Sequence, residues 1–245
     1  MLLSISKNTY MIPIGDTNED RIRTPYVNYL LLAINIFVFV YYQAFGSNEA
    51  FLMSFATIPE EILSGKDVIL NGMGATPIPV YATIITSMFM HGGLAHLGGN
   101  LLYLWIFGDN LENRMGHVRY LIFYLLCGII ATLSHVFASS MLGKDLLIPS
   151  LGASGAISGV LGGYLLLFPM NRVRILAFLF VIRVPAFVTL GLWIGLQLLD
   201  GYNSMGIKEG GGVAYAAHIA GFAAGLFLVK FFVSKQNVVV NKQSR

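Results

Sequence analysis

Apolar residues fall along this chain in six long stretches, at about 26–45, 94–108, 118–141, 152–168, 184–199 and 213–233, and this pattern predicts six membrane-crossing helices. A hydrocarbon core of ~30 Å asks for about 17 to 25 apolar residues at 1.5 Å each. The second stretch is short but carries no charge before Asp109. The joint at 46–90 is too long for a structureless connection in a compact fold. Its Phe51, Leu52, Met53, Phe55 and Ile58, close to Glu60 and Glu61, predict short helices half-sunk in the outer leaflet. Residues 171–185 alternate Arg172, Arg174 and Arg183 with an apolar run ahead of Pro185. They read as a cytoplasmic re-entry into the fifth span, with the proline breaking any continuous helix. The fold class expected is an all-α membrane protein, a six-transmembrane-helix bundle with a long outer loop between helices 1 and 2. A short cytoplasmic segment at 1–25 and a cytoplasmic tail at 234–245 flank one membrane domain at 26–233.

Composition agrees with a lipid environment: 56% of residues are hydrophobic and 11% charged, against about 25% charged in soluble domains. Cytoplasmic loops retain Lys and Arg, and with the N-terminus inside only Lys66, Lys144 and Lys208 of the 15 basic residues fall outside. Lys7, Arg21, Arg23, Arg114, Arg119, Arg172, Arg174, Arg183, Lys230, Lys235, Lys242 and Arg245 fall inside. Both termini are therefore expected in the cytoplasm, in the inner membrane of a prokaryotic cell. The net charge of +3 follows from this topology, and no basic, aromatic-lined groove points to a nucleic-acid partner. Asp16, Glu19 and Asp20 without an early apolar run argue against a cleaved leader, leaving the first span as anchor. The single cysteine, Cys127, lies in the third span, so no intrachain disulfide is expected.

Polar groups inside spans are costly and mark function. His96 and Asn100 lie four apart, on one face of the second span; Ser154 opens the fourth; His218 lies in the sixth. Gly155 with Gly159, and Gly221 with Gly225, have the small-residue spacing that lets two helices approach closely. The fourth and sixth spans should then touch, bringing the His218 imidazole to the Ser154 hydroxyl as a base to a nucleophile. Helix rise places Ser154 roughly 9 Å below the outer surface, with His218 and His96 in the same layer. His96, Asn100 and the Ser154 amide suit an oxyanion hole. No acid completes a triad: Asp109, Glu112, Asp145 and Asp200 are not evidently placed for it.

The stretches His91-Gly-Gly-Leu-Ala-His96-Leu-Gly-Gly-Asn100, Gly152-Ala153-Ser154-Gly155 and Ala217-His218-Ile219-Ala220-Gly221 resemble, in order and spacing, the signature motifs of rhomboid proteases. Gly108, Glu112 and Gly116 are similar to the family's glycine-glutamate-glycine pattern. The resemblance implies a rhomboid-like six-helix bundle that cleaves single-span membrane protein substrates near their outer boundary. It also implies Ser154 as nucleophile, His218 as base, His96 and Asn100 as oxyanion donors, and no metal or organic cofactor. The chain departs from many members at Ser158, where they carry an aromatic, and lacks their outer-loop Trp-Arg pair, its tryptophans being Trp105 and Trp193.

A serine among glycines in a membrane helix is, taken alone, a packing residue. His135 reads as a packing element, His117 as part of a cytoplasmic turn and His91 as a gate or loop anchor. Glu112 and Arg114 read as ties of the inner turn. A metal site on His91, His96 and His218 lacks the His-Glu-x-x-His pattern and carboxylate ligands. The alternative from another class is a non-catalytic rhomboid-like protein that binds transmembrane helices.

Overall fold

The computed structural model describes residues 3–6, 9–17, 21–69, 75–205 and 212–233. The expectations for Lys7, Glu19, Asp20, Lys208 and the tail at 234–245 lie outside them. After strands β1 (Leu3–Ser6) and β2 (Thr9–Gly15) comes helix α1 (Tyr26–Phe37), which continues as a π-helical stretch through Tyr42. The outer joint holds three short helices, α2 (Glu49–Phe55), α3 (Pro59–Ser64) and α4 (Thr83–Thr86). Five longer helices follow: α5 (Leu94–Met115), α6 (His117–Leu142), α7 (Ser154–Leu167), α8 (Ala186–Met205) and α9 (Gly212–Phe232). Strands β3 (Arg172–Ala177) and β4 (Phe180–Pro185) lie between α7 and α8.

The fold is mostly helical but not all-α, which corrects the expectation for 171–185. The four strands form one antiparallel sheet in the order β1-β2-β3-β4. In β3, Arg172 and Arg174 are exposed while Val173 and Ile175 are buried. That period of two is a strand pattern, and it turns the apolar face onto the core. The reading of Arg172, Arg174 and Arg183 as topology markers concealed it.

The helices are apolar outside and carry polar groups inside, the reverse of a water-soluble bundle. Ile122, Leu126, Ile130, Leu133 and Phe137 of α6 face outward, whereas His135 and Ser139 of the same helix are buried. Among the described residues, His117–Leu142 and Tyr215–Phe232 are long and apolar enough to cross a bilayer, and Tyr26–Tyr42 and Ser154–Leu167 are shorter apolar helices.

Glycines bring α7 and α9 together. A Cβ on Gly221 or Gly225 would collide with the backbone carbonyls of Gly155 and Gly159, respectively. On the other side of α7, the bare Gly159 makes room for Cys127 of α6, whose sulfur would lie 2.6 Å from a Cβ there. Such backbone-to-backbone approach supplies the packing that apolar burial cannot supply in lipid.

The end of the bundle nearest the sheet is closed by a polar network. Buried Glu112 accepts the backbone N–H groups of Val27 at 2.9 Å and Asn28 at 2.7 Å and pairs with His117. This satisfies two of the orphan donors at the start of α1. Asn113 accepts from the amides of Ile22 at 3.0 Å and Arg23 at 3.1 Å, and Arg21 pairs with Asp109 at 3.1 Å.

Candidate active site

At the opposite end of α7, the chain enters the helix through Gly152. Its φ of +126° favours glycine. A Cβ there would also lie 2.9 Å from Cε1 and Nε2 of His96, so two constraints exclude a side chain. The outer joint holds this entry in place. Thr57 and Ser150 exchange backbone hydrogen bonds of 3.1 and 2.7 Å, and the Gly152 amide donates to the Ser87 carbonyl at 2.9 Å. The Thr57 hydroxyl donates to the Thr83 carbonyl at 3.0 Å and lies 2.9 Å from the Ser87 hydroxyl.

The α7–α9 contact brings Ser154 Oγ to 2.8 Å from His218 Nε2. The other ring nitrogen, Nδ1, lies 2.7 Å from Gln197 Oε1 on α8. An amide oxygen only accepts, so Nδ1 carries the proton and the lone pair of Nε2 faces the serine. Trp193, one helical turn before Gln197 and buried, lies beside the imidazole with ring centroids 6.3 Å apart. Gln197 and Trp193 are the residues that reasoning from sequence missed. The available signal is an amide in an apolar stretch one turn after a tryptophan. Buried Ser158 donates to the Ser154 carbonyl at 2.6 Å, so its hydroxyl is held within α7.

On α5, His96 Nδ1 accepts the Gly92 amide at 3.3 Å, which leaves the proton on Nε2, at the edge of the ring that faces Gly152. Asn100, one turn further on, is buried, and its Nδ2 has no protein partner. A buried donor without a partner costs ~1–3 kcal/mol. A developing negative oxygen is the kind of group that removes such a cost.

His91 lies behind His96, ring centroids 5.1 Å apart. Gln43 holds its backbone through two hydrogen bonds of 2.9 Å. His135 lines the small cavity at Ser154 and His218, whose volume of about 60 Å³ is room for about two waters. His117 is bonded to Glu112 at the other end of the molecule.

The family profile of the Rhomboid domain matches residues 80–235, well over half the chain, and takes in His96, Asn100, Ser154, Gln197 and His218. The chain belongs to the rhomboid family. It is 31% identical over 208 residues to rhomboid protein 1, mitochondrial, of Saccharomyces cerevisiae, covering 84% of this chain and 53% of the yeast protein. It is 29% identical over 197 residues to the rhomboid protease GluP of Bacillus subtilis, covering 79% and 35%. It is 25% identical over 209 residues to presenilin-associated rhomboid-like protein, mitochondrial, of Bos taurus, covering 82% and 47%. The matches thus span from about a third to about a half of these relatives' lengths. As a rhomboid, the chain is an integral membrane protein. Strands β1 and β2 and helix α1 precede the matched region, whereas β3 and β4 lie within it.

Proposed function

We propose that this rhomboid is an intramembrane serine endopeptidase that cleaves single-span membrane proteins near the extracytoplasmic boundary of the bilayer. The observation that carries this reading is the 2.8 Å contact between His218 Nε2 and Ser154 Oγ, with Gln197 on the far nitrogen of the ring. Ser154 Oγ attacks the scissile carbonyl carbon while Nε2 takes its proton. The carbonyl oxygen becomes an oxyanion, received by the Ser154 amide, His96 Nε2–H and the unpaired Asn100 Nδ2–H. The imidazolium, stabilised by Gln197, gives its proton to the leaving amine, and a water then releases the acyl group by the same steps. Each step uses groups of the chain and water, with no metal or organic cofactor.

In this reading α1 and α5 to α9 are six spans, and α2 to α4 form the long outer loop. The sheet and both termini are cytoplasmic, because the basic residues gather at the sheet end and the catalytic layer lies at the other. The test is fluorophosphonate labelling of the full chain in detergent, parent against Ser154→Ala. Labelling lost with that one hydroxyl supports the protease. A folded parent that retains a transmembrane substrate but neither labels nor cleaves would instead be a non-catalytic helix-binding rhomboid.

A further inference from the structure

The sheet end carries a feature that proteolysis does not use. An open cavity of about 650 Å³ is lined by Arg172, Arg174, Arg183, Asp16, Asn171 and Met170, among others. Arg172 and Arg174 are two apart in β3 and share a face, and Arg174 stands directly across from Arg183 of β4. Like charges facing each other across a ladder destabilise the pair unless an anion lies between them. Gly15, the β2 partner of Arg174, has no side chain, and the Arg174 guanidinium occupies the space a Cβ would take.

Among the described residues, none of the three arginines makes an ion pair. The carboxylate lining the cavity, Asp16, is engaged by Asn110 at 2.8 Å and by the Tyr164 hydroxyl. Burial raises its pKa to about 7, so it offers the arginines only part of a counter-charge.

A second, independent observation lies at the tip of the same hairpin. Phe178, Leu179, Phe180 and Val181 are consecutive, apolar and 67%, 91%, 74% and 56% exposed. Such a run is unfavourable in water and favourable where it can enter lipid. Met170, in the turn between α7 and β3, is also exposed and lines the cavity.

We propose that the β3–β4 hairpin is a lipid site of the cytoplasmic leaflet, in which Arg172, Arg174 and Arg183 hold the phosphate headgroup of an anionic phospholipid while residues 178–181 insert among its chains. Three guanidiniums supply bidentate donors for phosphate oxygens, and the apolar tip distinguishes a lipid from a soluble anion. The site rests on the six-span reading for its position at the membrane and does not depend on catalysis.

The experiment is native mass spectrometry of the full chain in neutral detergent, titrated with phosphatidylglycerol, phosphatidylcholine or inorganic phosphate. Phosphatidylglycerol should be retained in preference to phosphatidylcholine. Arg174→Gln with Arg183→Gln should weaken it about 25-fold, at roughly fivefold per arginine, and Arg174→Lys with Arg183→Lys should recover much of that. Phe178→Ser with Phe180→Ser should weaken the lipid and leave any phosphate binding unchanged. Gel filtration and the thermal midpoint establish that each variant is folded. Equal retention of phosphatidylcholine, unchanged retention in the Arg-to-Gln variant, or displacement by equimolar phosphate would overturn the site. A C-terminal reporter found outside would overturn the topology beneath it, a result distinct from indifference to lipid charge with the terminus inside.

Discussion

The two ends of this bundle treat their polar groups in opposite ways. At the sheet end, Glu112 engages both carboxylate oxygens, and Asp16, Asn113 and Arg21 are each bonded to a distant segment. At the other end, Asn100 Nδ2 and both ring nitrogens of His91 are buried without a protein partner. A satisfied network closes a structure, while an unmet donor raises its energy until something else arrives to meet it. The first end should therefore govern stability and the second turnover, and mutations can test that division.

The largest effect belongs to the proposed dyad. Ser154→Ala, His218→Ala and the double variant should each lose about 10⁴-fold or more in turnover, by nearly the same amount, because in the proposed mechanism the two residues act as one unit. Gel-based cleavage of a single-span substrate in proteoliposomes measures this, and additive losses would separate the two residues. Next comes Asn100→Ala, which removes a proposed oxyanion donor and should cost roughly 10- to 1000-fold in kcat with the fold intact. Because the donor is unpaired in the free protein, the thermal midpoint should stay level or rise. A marked fall in stability with unchanged kcat would move Asn100 to the structural end of the comparison.

Gln197→Leu should cost about 10- to 100-fold, since the ring loses the acceptor that fixes its tautomer. Gln197→Glu should restore much of that rate. Equal activity of both variants with the parent would show that the ring needs no such partner. At the sheet end, Glu112→Ala leaves two amides of α1 without their acceptor and should cost on the order of 3 kcal/mol. It should lower the thermal midpoint by several degrees, while kcat per folded molecule stays within about threefold.

Turnover should change least of all at Asp16, whose pH response is one of stability. Burial raises its carboxyl from the ordinary 3.8 to about 7, opposed by the hydrogen bond from Tyr164. Asp109 and Asn110 on α5, with Arg174 on β3, are the other groups that act on it. Between these values the folded protein holds a proton that the unfolded chain has released. The contribution to stability therefore falls as pH rises from about 4 to about 7. Asp16→Asn should flatten that part of the curve of thermal midpoint against pH.

What was legible in the sequence followed from local spacing. Gly155, Gly159, Gly221 and Gly225 reveal a helix contact because four-residue spacing is a property of each helix by itself. The sheet was not legible in the same way. Strand β2 pairs with β3, more than 150 residues further along, and nothing near Thr9 or Gly15 records that partner. The alternation in β3 is visible in the sequence, but its arginines also fit a cytoplasmic turn, and that reading hides the strand. Gln197 was missed for a chemical reason: an imidazole needs an acceptor on Nδ1, which an amide oxygen supplies as well as a carboxylate. Asn100 was named from its position on α5, yet that its Nδ2 lacks a protein partner emerges only once its surroundings are assembled.

The packing of Cys127 against Gly159 bears on how this protein can be studied. The only thiol of the chain is enclosed between α6 and α7, with no exposed surface. Maleimides and methanethiosulfonates should therefore leave the folded parent unmodified, and no cysteine has to be deleted beforehand. One new thiol at Leu179 and, in a separate protein, one at Phe45 would each carry a spin label on an exposed position. Their relaxation by oxygen in the lipid and by nickel chelates in water gives the immersion depth of each, a ruler read against an otherwise silent molecule.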